Sequence, residues 1–231
     1  VKKGDLVAIG RTENCEEGIY VYPDGFSADL QKKDIFAFRI NNSRETSLSK
    51  IYDDLVKILK YEKENGKIVY VMGPAFSFDL KAKEAMVALI NNGYCHGLLA
   101  GNALATHDLE GAYLGTALGQ DIYTKESVPN GHYNHLDLIN KGRYYGSIKK
   151  FIEGEKINSG IMHALETNNI PYVLAGSIRD DGPLPEVISN SSDAQNAMRD
   201  MIRDATTLIC LATMLHSIAT GNMFPSYRVL K

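Results

Sequence analysis

The sequence predicts an α/β protein built on a doubly wound, mostly parallel sheet, and three observations carry that expectation. Short continuous apolar runs recur at 68–72, 97–100, 172–175 and 207–212, and runs of that kind are strands buried on both faces. Segments of helical period separate them. Each run then stops at a glycine or another small residue and turns polar, as in GLLAGNALATHDLE (97–110), YVLAGSIRDDGPLP (172–185), KIVYVMGPAFSFD (67–79) and TLICLATMLHSIATGN (207–222). Parallel strands bring such tips to one sheet edge, beyond their carboxyl ends, where open α/β sheets bind ligands.

Taken in order, residues 1–46 alternate short β-like runs (Leu6–Ile9, Ile19–Tyr22, Ile35–Ile40) with turn chemistry such as Pro23-Asp24-Gly25, and predict a small β-rich element. From Ser47 the period changes: Ile51, Leu55, Ile58 and Leu59 share a helical face, and Asn65-Gly66 supplies the stop. Then follow a strand at 68–72, a helix at 79–92 closed by Gly93, a strand at 97–100 and a helix at 108–118. A long polar helix at 132–153 and another at 159–168 precede a strand at 172–175. A helix at 193–204, a strand at 207–212 and a helix from 215 complete the reading. The division expected is 1–46 against 47–231, the second part binding cofactor and substrate. The opening Val1 and the strand-like ending Ser226–Lys231 suggest a piece of a longer protein.

Composition narrows the partners. A formal charge of -3, with lysine and arginine scattered along the chain, gives no electrostatic footprint for nucleic acid or anionic lipid. No apolar run approaches the roughly 20 residues that span a bilayer, and no signal-peptide plan is visible. Cys15, Cys95 and Cys210 lie far apart without CxxC spacing, so neither a disulfide framework nor a zinc knuckle is indicated. The expectation is a cytoplasmic protein with a small-molecule partner, and its exposed helix faces leave room for a homo-oligomer.

Chemistry is expected at the strand exits. After 172–175 come Ser177, Arg179, Asp180, Asp181, Gly182 and Pro183. An arginine beside two carboxylates can hold an amino acid's carboxylate and ammonium together, and Pro183-Leu184-Pro185 stiffens the loop; the plain alternative is a solvated turn. After 97–100, Asn102 can bind an amide or hydroxyl. His107 and Asp108 can move protons or, equally, serve as bystander and helix cap. Thr213, Met214, Leu215, His216 and Ser217 open a helix whose amides suit an anion, although Met214 and Leu215 also read as core. Gly73 lets a ligand approach bare backbone. His132 and His135 stand three apart but lack a carboxylate or third histidine at telling spacing, so no metal is expected. No GxGxxG, Gly-x-Ser-x-Gly or Walker loop is present.

The segments LLAGNALATHDLEGAYLGTALG, SGIMHALETNNIPYVLAGSIRDDGPLPEVI and LATMLHSIATGNMFPS resemble the lysine-oxoglutarate reductase/saccharopine dehydrogenase (LOR/SDH) conserved-region family. That family comprises archaeal-type NAD-dependent ornithine cyclodeaminases and the C-terminal half of cyanobacterial arginine dihydrolases. The likeness runs from about Lys67 to Ser226. It implies a nucleotide-binding part of deoxyhypusine-synthase type, in keeping with the missing GxGxxG. It also implies NAD contacts from Asn102, Ala103, Ser177, Asp181, Gly182, Pro183 and Thr213–His216, with a site that is incomplete if the chain is truncated.

The reaction implied is conversion of ornithine to proline and ammonia. A hydride leaves Cα for NAD+, the δ-amine attacks the resulting imine, ammonia departs, and the hydride returns. Arg179 would clamp the carboxylate, Asp180 or Asp108 would act as base, and Asn102 would orient the imine or the nicotinamide amide. The rival readings are a saccharopine-type or other amino-acid dehydrogenase, and a non-catalytic NAD-binding regulatory domain.

Overall fold

The computed structural model describes residues 50–117, 119–129, 131–177 and 182–224, with backbone alone for 19–21, 49, 132 and 227–229. The chain divides into two units, Val1–Ile51 with Phe224–Lys231, and Tyr52–Met223. The first contains the strand β1 (Ile19–Val21). The expected runs 6–9 and 35–40 lie outside the described residues.

Helix α1 (Ser49–Asn65) forms where the period predicts, yet of the expected apolar face only Leu59 packs on the core, while Ile51, Leu55 and Ile58 are exposed. Strand β2 (Ile68–Met72) is buried throughout. A single 3-10 turn at Pro74–Phe78 leads into α2 (Leu80–Asn91), whose cap is Asp79, its carboxylate accepting the Ala82 amide at 2.9 Å. Gly93, at φ +75°, releases the chain from the helix. Next come β3 (Gly97–Gly101) and α3 (Asn102–Leu114), the latter ended by left-handed Gly115. Strands β4 (Thr116–Ala117) and β5 (Gln120–Asp121) make a minimal antiparallel pair.

The remaining elements are α4 (Gly131–Tyr145), α5 (Ile148–Gly154), α6 (Ile161–Thr167), β6 (Tyr172–Ala175), α7 (Ser191–Ile202), β7 (Thr207–Leu211) and α8 (Leu215–Met223). Strand β8 (Tyr227–Val229) pairs antiparallel with β1 and falls in the first unit.

Two helices differ from expectation. α3 begins at Asn102 rather than 108, because extended Gly101 (ψ 166°) serves as its N-cap and the polar stretch after the strand is already helix. The long helix expected at 132–153 is two, broken by Gly146 at φ +71° and restarted by Ser147, whose hydroxyl accepts the Lys150 amide.

The main sheet runs β6-β3-β2-β7, all neighbours parallel. Central β2 and β3 are buried, whereas the outer β6 and β7 are only partly so. That gradient explains why the central runs are apolar without interruption. Helices α2, α3, α4, α5 and α6 pack among themselves, and α7 packs with α8. The core joins Ile68, Tyr70 and Met72 of β2 to Met86 of α2, Leu104 of α3 and Phe151 of α5.

Candidate active site

Numbered along the sheet, β2, β3 and β6 step to one side and β7 crosses to the other side of β2. The order is the 3-2-1-4 of a doubly wound fold, with its switch point between β2 and β7. The carboxyl ends of both strands meet there at close quarters. The Gly73 amide donates to Leu211 O at 2.9 Å, and a Cβ on Gly73 would collide with the Ala212 carbonyl. The space beside Gly73, expected to admit a cofactor, is thus filled by Ala212 and Thr213 at the end of the adjacent strand. Ala212 itself holds φ +56°, a conformation costly for a residue with a Cβ.

At the next exit, a Cβ on Gly101 would lie 3.1 Å from His216 Cε1, so His216 sits directly over the end of β3. Among the described residues its buried Nδ1 has no hydrogen-bond partner, and burial holds its pKa below the ordinary value. Thr213 Oγ1 accepts the His216 amide at 3.4 Å, and Ser217 Oγ donates to the Thr213 carbonyl. Met214 and Leu215 are not core: they are 76% and 79% exposed, and place apolar surface beside the exits. Ala103 is half-buried in the first turn of α3.

Asn102 joins two exits. Its Nδ2 donates to Gly182 O at 3.4 Å and its Oδ1 accepts the Leu184 amide at 3.0 Å. Thr106 Oγ1 donates back to the Asn102 carbonyl at 2.9 Å. A buried asparagine with both ends of its amide engaged fixes the 182–184 turn against the start of α3. Arg179, Asp180 and Asp181 lie outside the described residues, while Ser177 just before them is exposed. Gly182, at φ +143°, faces the guanidinium of Arg143: a Cβ there would stand 2.6 Å from Nη2, and Arg143 Nε donates to Pro183 O at 3.3 Å. Arg143 is an exposed cation on α4 that no strand-exit pattern could reveal.

Asp108 is elsewhere. It is wholly buried, with Lys83 Nζ 3.0 Å from Oδ1 and the Met162 amide donating to Oδ2 at 2.8 Å. It ties α2, α3 and α6 together, and Gly160, at φ +102°, makes room for its carboxylate. Neither proton shuttling nor capping of its own helix describes this role; it holds the amide near the start of another helix.

α3 is buried on nearly every side from Asn102 to Gly111, and its polar side chains must therefore satisfy one another. Glu110, fully buried, takes His107 Nδ1 at 3.3 Å and His135 Nδ1 at 3.4 Å on Oε2, and the Thr116 hydroxyl at 3.0 Å on Oε1. Burial alone would raise its pKa, but these hydrogen bonds prevail and hold it at about 2. The Phe78 ring lies 5.0 Å from that of His107 and also lines a 680 Å³ cavity with Asp79 and Tyr123. The sequence shows the histidines but not their meeting, since they stand on separate helices.

Residues 50–230 match the family described as arginine dihydrolase ArgZ-like, C-terminal, Rossmann fold. The chain is 43% identical to an ornithine cyclodeaminase of Methanocaldococcus jannaschii over 235 residues, which is 98% of this chain and 53% of that protein. It is 45% identical to the bifunctional arginine dihydrolase/ornithine cyclodeaminase ArgZ of Synechocystis sp. over 163 residues, 71% of this chain and 23% of that one. Among solved structures it is similar to a LOR/SDH protein from Methanococcus maripaludis (TM-score 0.75, 40% identity, 84% of this chain and 60% of that one). It is similar also to AgrE in ternary complex with ornithine and NAD+ (TM-score 0.74, 40% identity, 80% and 27%). The chain spans about half the length of the archaeal relatives it matches. The resemblance drawn from the strand-exit motifs is borne out.

Proposed function

Since the chain belongs to the ArgZ-like C-terminal Rossmann-fold family, we propose that it binds NAD and converts L-ornithine to L-proline and ammonia. Its similarity to archaeal ornithine cyclodeaminases supports the reaction, and its similarity to AgrE in complex with ornithine and NAD+ supports the pair of ligands. The observation that carries the reading is the switch-point edge itself, where Asn102, the 182–184 turn and the buried, unpartnered His216 Nδ1 gather at adjoining strand ends.

The residues present fit a dinucleotide. An orphaned imidazole nitrogen calls for a hydrogen-bonding partner, the exposed side chains of Met214 and Leu215 offer apolar surface for a flat ring, and the start of α8 favours an anion. Ala103, Ser177, Asp181, Gly182, Pro183 and Thr213–His216 would hold the group. When bound, NAD supplies a hydride acceptor that becomes the donor within one turnover.

The protein's own part is positioning. Asn102 secures the turn that leads back to Arg179 and Asp180, for which we propose carboxylate binding and proton removal. Arg143, over Gly182, adds positive charge at the same turn. Asp108, sealed in its ion pair, would instead keep α3 in place, and with it Asn102.

Incubation of the full-length protein with ornithine and NAD+ tests the proposal: proline and ammonia should accumulate without net NADH. Net NADH would assign an amino-acid dehydrogenase instead, and NAD binding without turnover a regulatory domain. In an Arg179→Ala variant, half-saturation by ornithine should shift upward while NAD binding persists; unchanged ornithine saturation would reject the clamp.

A further inference from the structure

The polar cluster between α3 and α4 has a geometry that invites more than mutual hydrogen bonding. His107 and Glu110 are three residues apart and share a face of α3, and His135 reaches the same point from α4. Both imidazole Nδ1 atoms converge on one oxygen, Glu110 Oε2, at 3.3 and 3.4 Å. One ligating atom from each of the three residues lies within 4.8 Å of the others. These separations are long for N–H···O hydrogen bonds, which centre on about 2.9–3.0 Å. Two atoms bonded at about 2.0–2.1 Å to one tetrahedral cation, however, stand about 3.3–3.4 Å apart.

We propose that His107, Glu110 and His135 bind one divalent transition-metal ion of the zinc class. Two imidazoles and a carboxylate suit such a borderline cation and leave a fourth position for water or another ligand. Supporting contacts orient the ligands: Thr116 Oγ1 donates to the second carboxylate oxygen at 3.0 Å, leaving Oε2 for the ion, and Asn134 Nδ2 fixes that hydroxyl at 2.9 Å. Partners of this kind are the usual complement of a metal carboxylate. The Phe78 ring walls the site on the His107 side. Coordination through Nδ1 requires both rings neutral, with their remaining proton on Nε2. The ion clasps α3 to α4, and so braces the helix that begins with Asn102. This inference is independent of the reaction proposed above.

The test is metal binding by the full-length protein after chelation, with Zn2+ followed calorimetrically and Co2+ by visible absorption. One ion per chain is expected, with a tetrahedral cobalt spectrum that lacks thiolate charge transfer. His135→Gln should weaken binding at least about tenfold, whereas His163→Gln, a histidine near Thr167 on α6, should leave it intact. Circular dichroism establishes that each variant is folded, and if His135→Gln is not, the wild-type stoichiometry and cobalt spectrum decide. Absence of stoichiometric binding, a thiolate band, or a folded His135→Gln protein that binds like the wild type would overturn the proposal and leave a buried carboxylate hydrogen-bonded to two imidazoles.

Discussion

Asn102 shows how one side chain can carry a prediction for both stability and function. Replacing it with alanine strands the buried Leu184 amide and should cost about 1–3 kcal/mol, read as a lower urea midpoint, with loss of ornithine turnover beyond what the unfolded fraction explains. The Lys83–Asp108 pair makes a larger claim. Asp108→Ala leaves an ammonium buried without its partner, and about 3–5 kcal/mol of stability should go. The double change Lys83→Met with Asp108→Leu should recover much of that loss, and a double-mutant cycle in urea measures it. His216 predicts a pH dependence. In the unfolded chain it takes up a proton near pH 6.5, but burial lowers its pKa in the fold, so below about pH 6.5 the unfolded state binds more protons and stability falls with pH. His216→Gln should flatten that part of the profile in denaturation measured between neutral and mildly acidic pH.

Among the elements, strands were the most legible. Strands β2 and β6 have the bounds their apolar runs suggest; β2, buried throughout, is written as an unbroken run, and β6 keeps the same apolar plan at the half-buried edge. The sequence pattern places the start of α3 late because Asn102–His107 looks like a loop when water is imagined around it; in the fold those polar groups face inward and bond to one another. Gly146 is as plain in the sequence as Gly93, but a polar helical period on both sides hid the break. The β4–β5 pair is too short to leave a period at all. The candidate site divides in the same way. Strand exits can be found by composition, whereas Arg143 and the His107–Glu110–His135 cluster depend on helices meeting in space. Gly73 offers the check at this scale: Gly73→Ala drives a methyl into the Ala212 backbone and should cost about 1–3 kcal/mol, visible as a lowered melting temperature, since two strand ends cannot separate without disturbing the sheet.

At the scale of the molecule, the proposed binding of NAD at the switch point of the parallel sheet can be read as a change in stability. At a hundredfold excess over its dissociation constant, NAD+ should add about 2.7 kcal/mol and raise the melting temperature, while a chain whose melting ignores the dinucleotide would count against the proposed site. Among the described residues no helix is long and apolar enough to cross a membrane. The tie between α2, α3 and α6 has one more consequence. Lys57–Asp54 and Arg203–Asp200 lie open to water, where dissolved electrolyte weakens such pairs, but Lys83 and Asp108 are nearly covered, and the counterions of a brine screen that pair far less. Raising ionic strength thus strips the outer attractions first and leaves the inner clamp at nearly full force, so the scaffold under the strand ends tolerates salt better than its surface does.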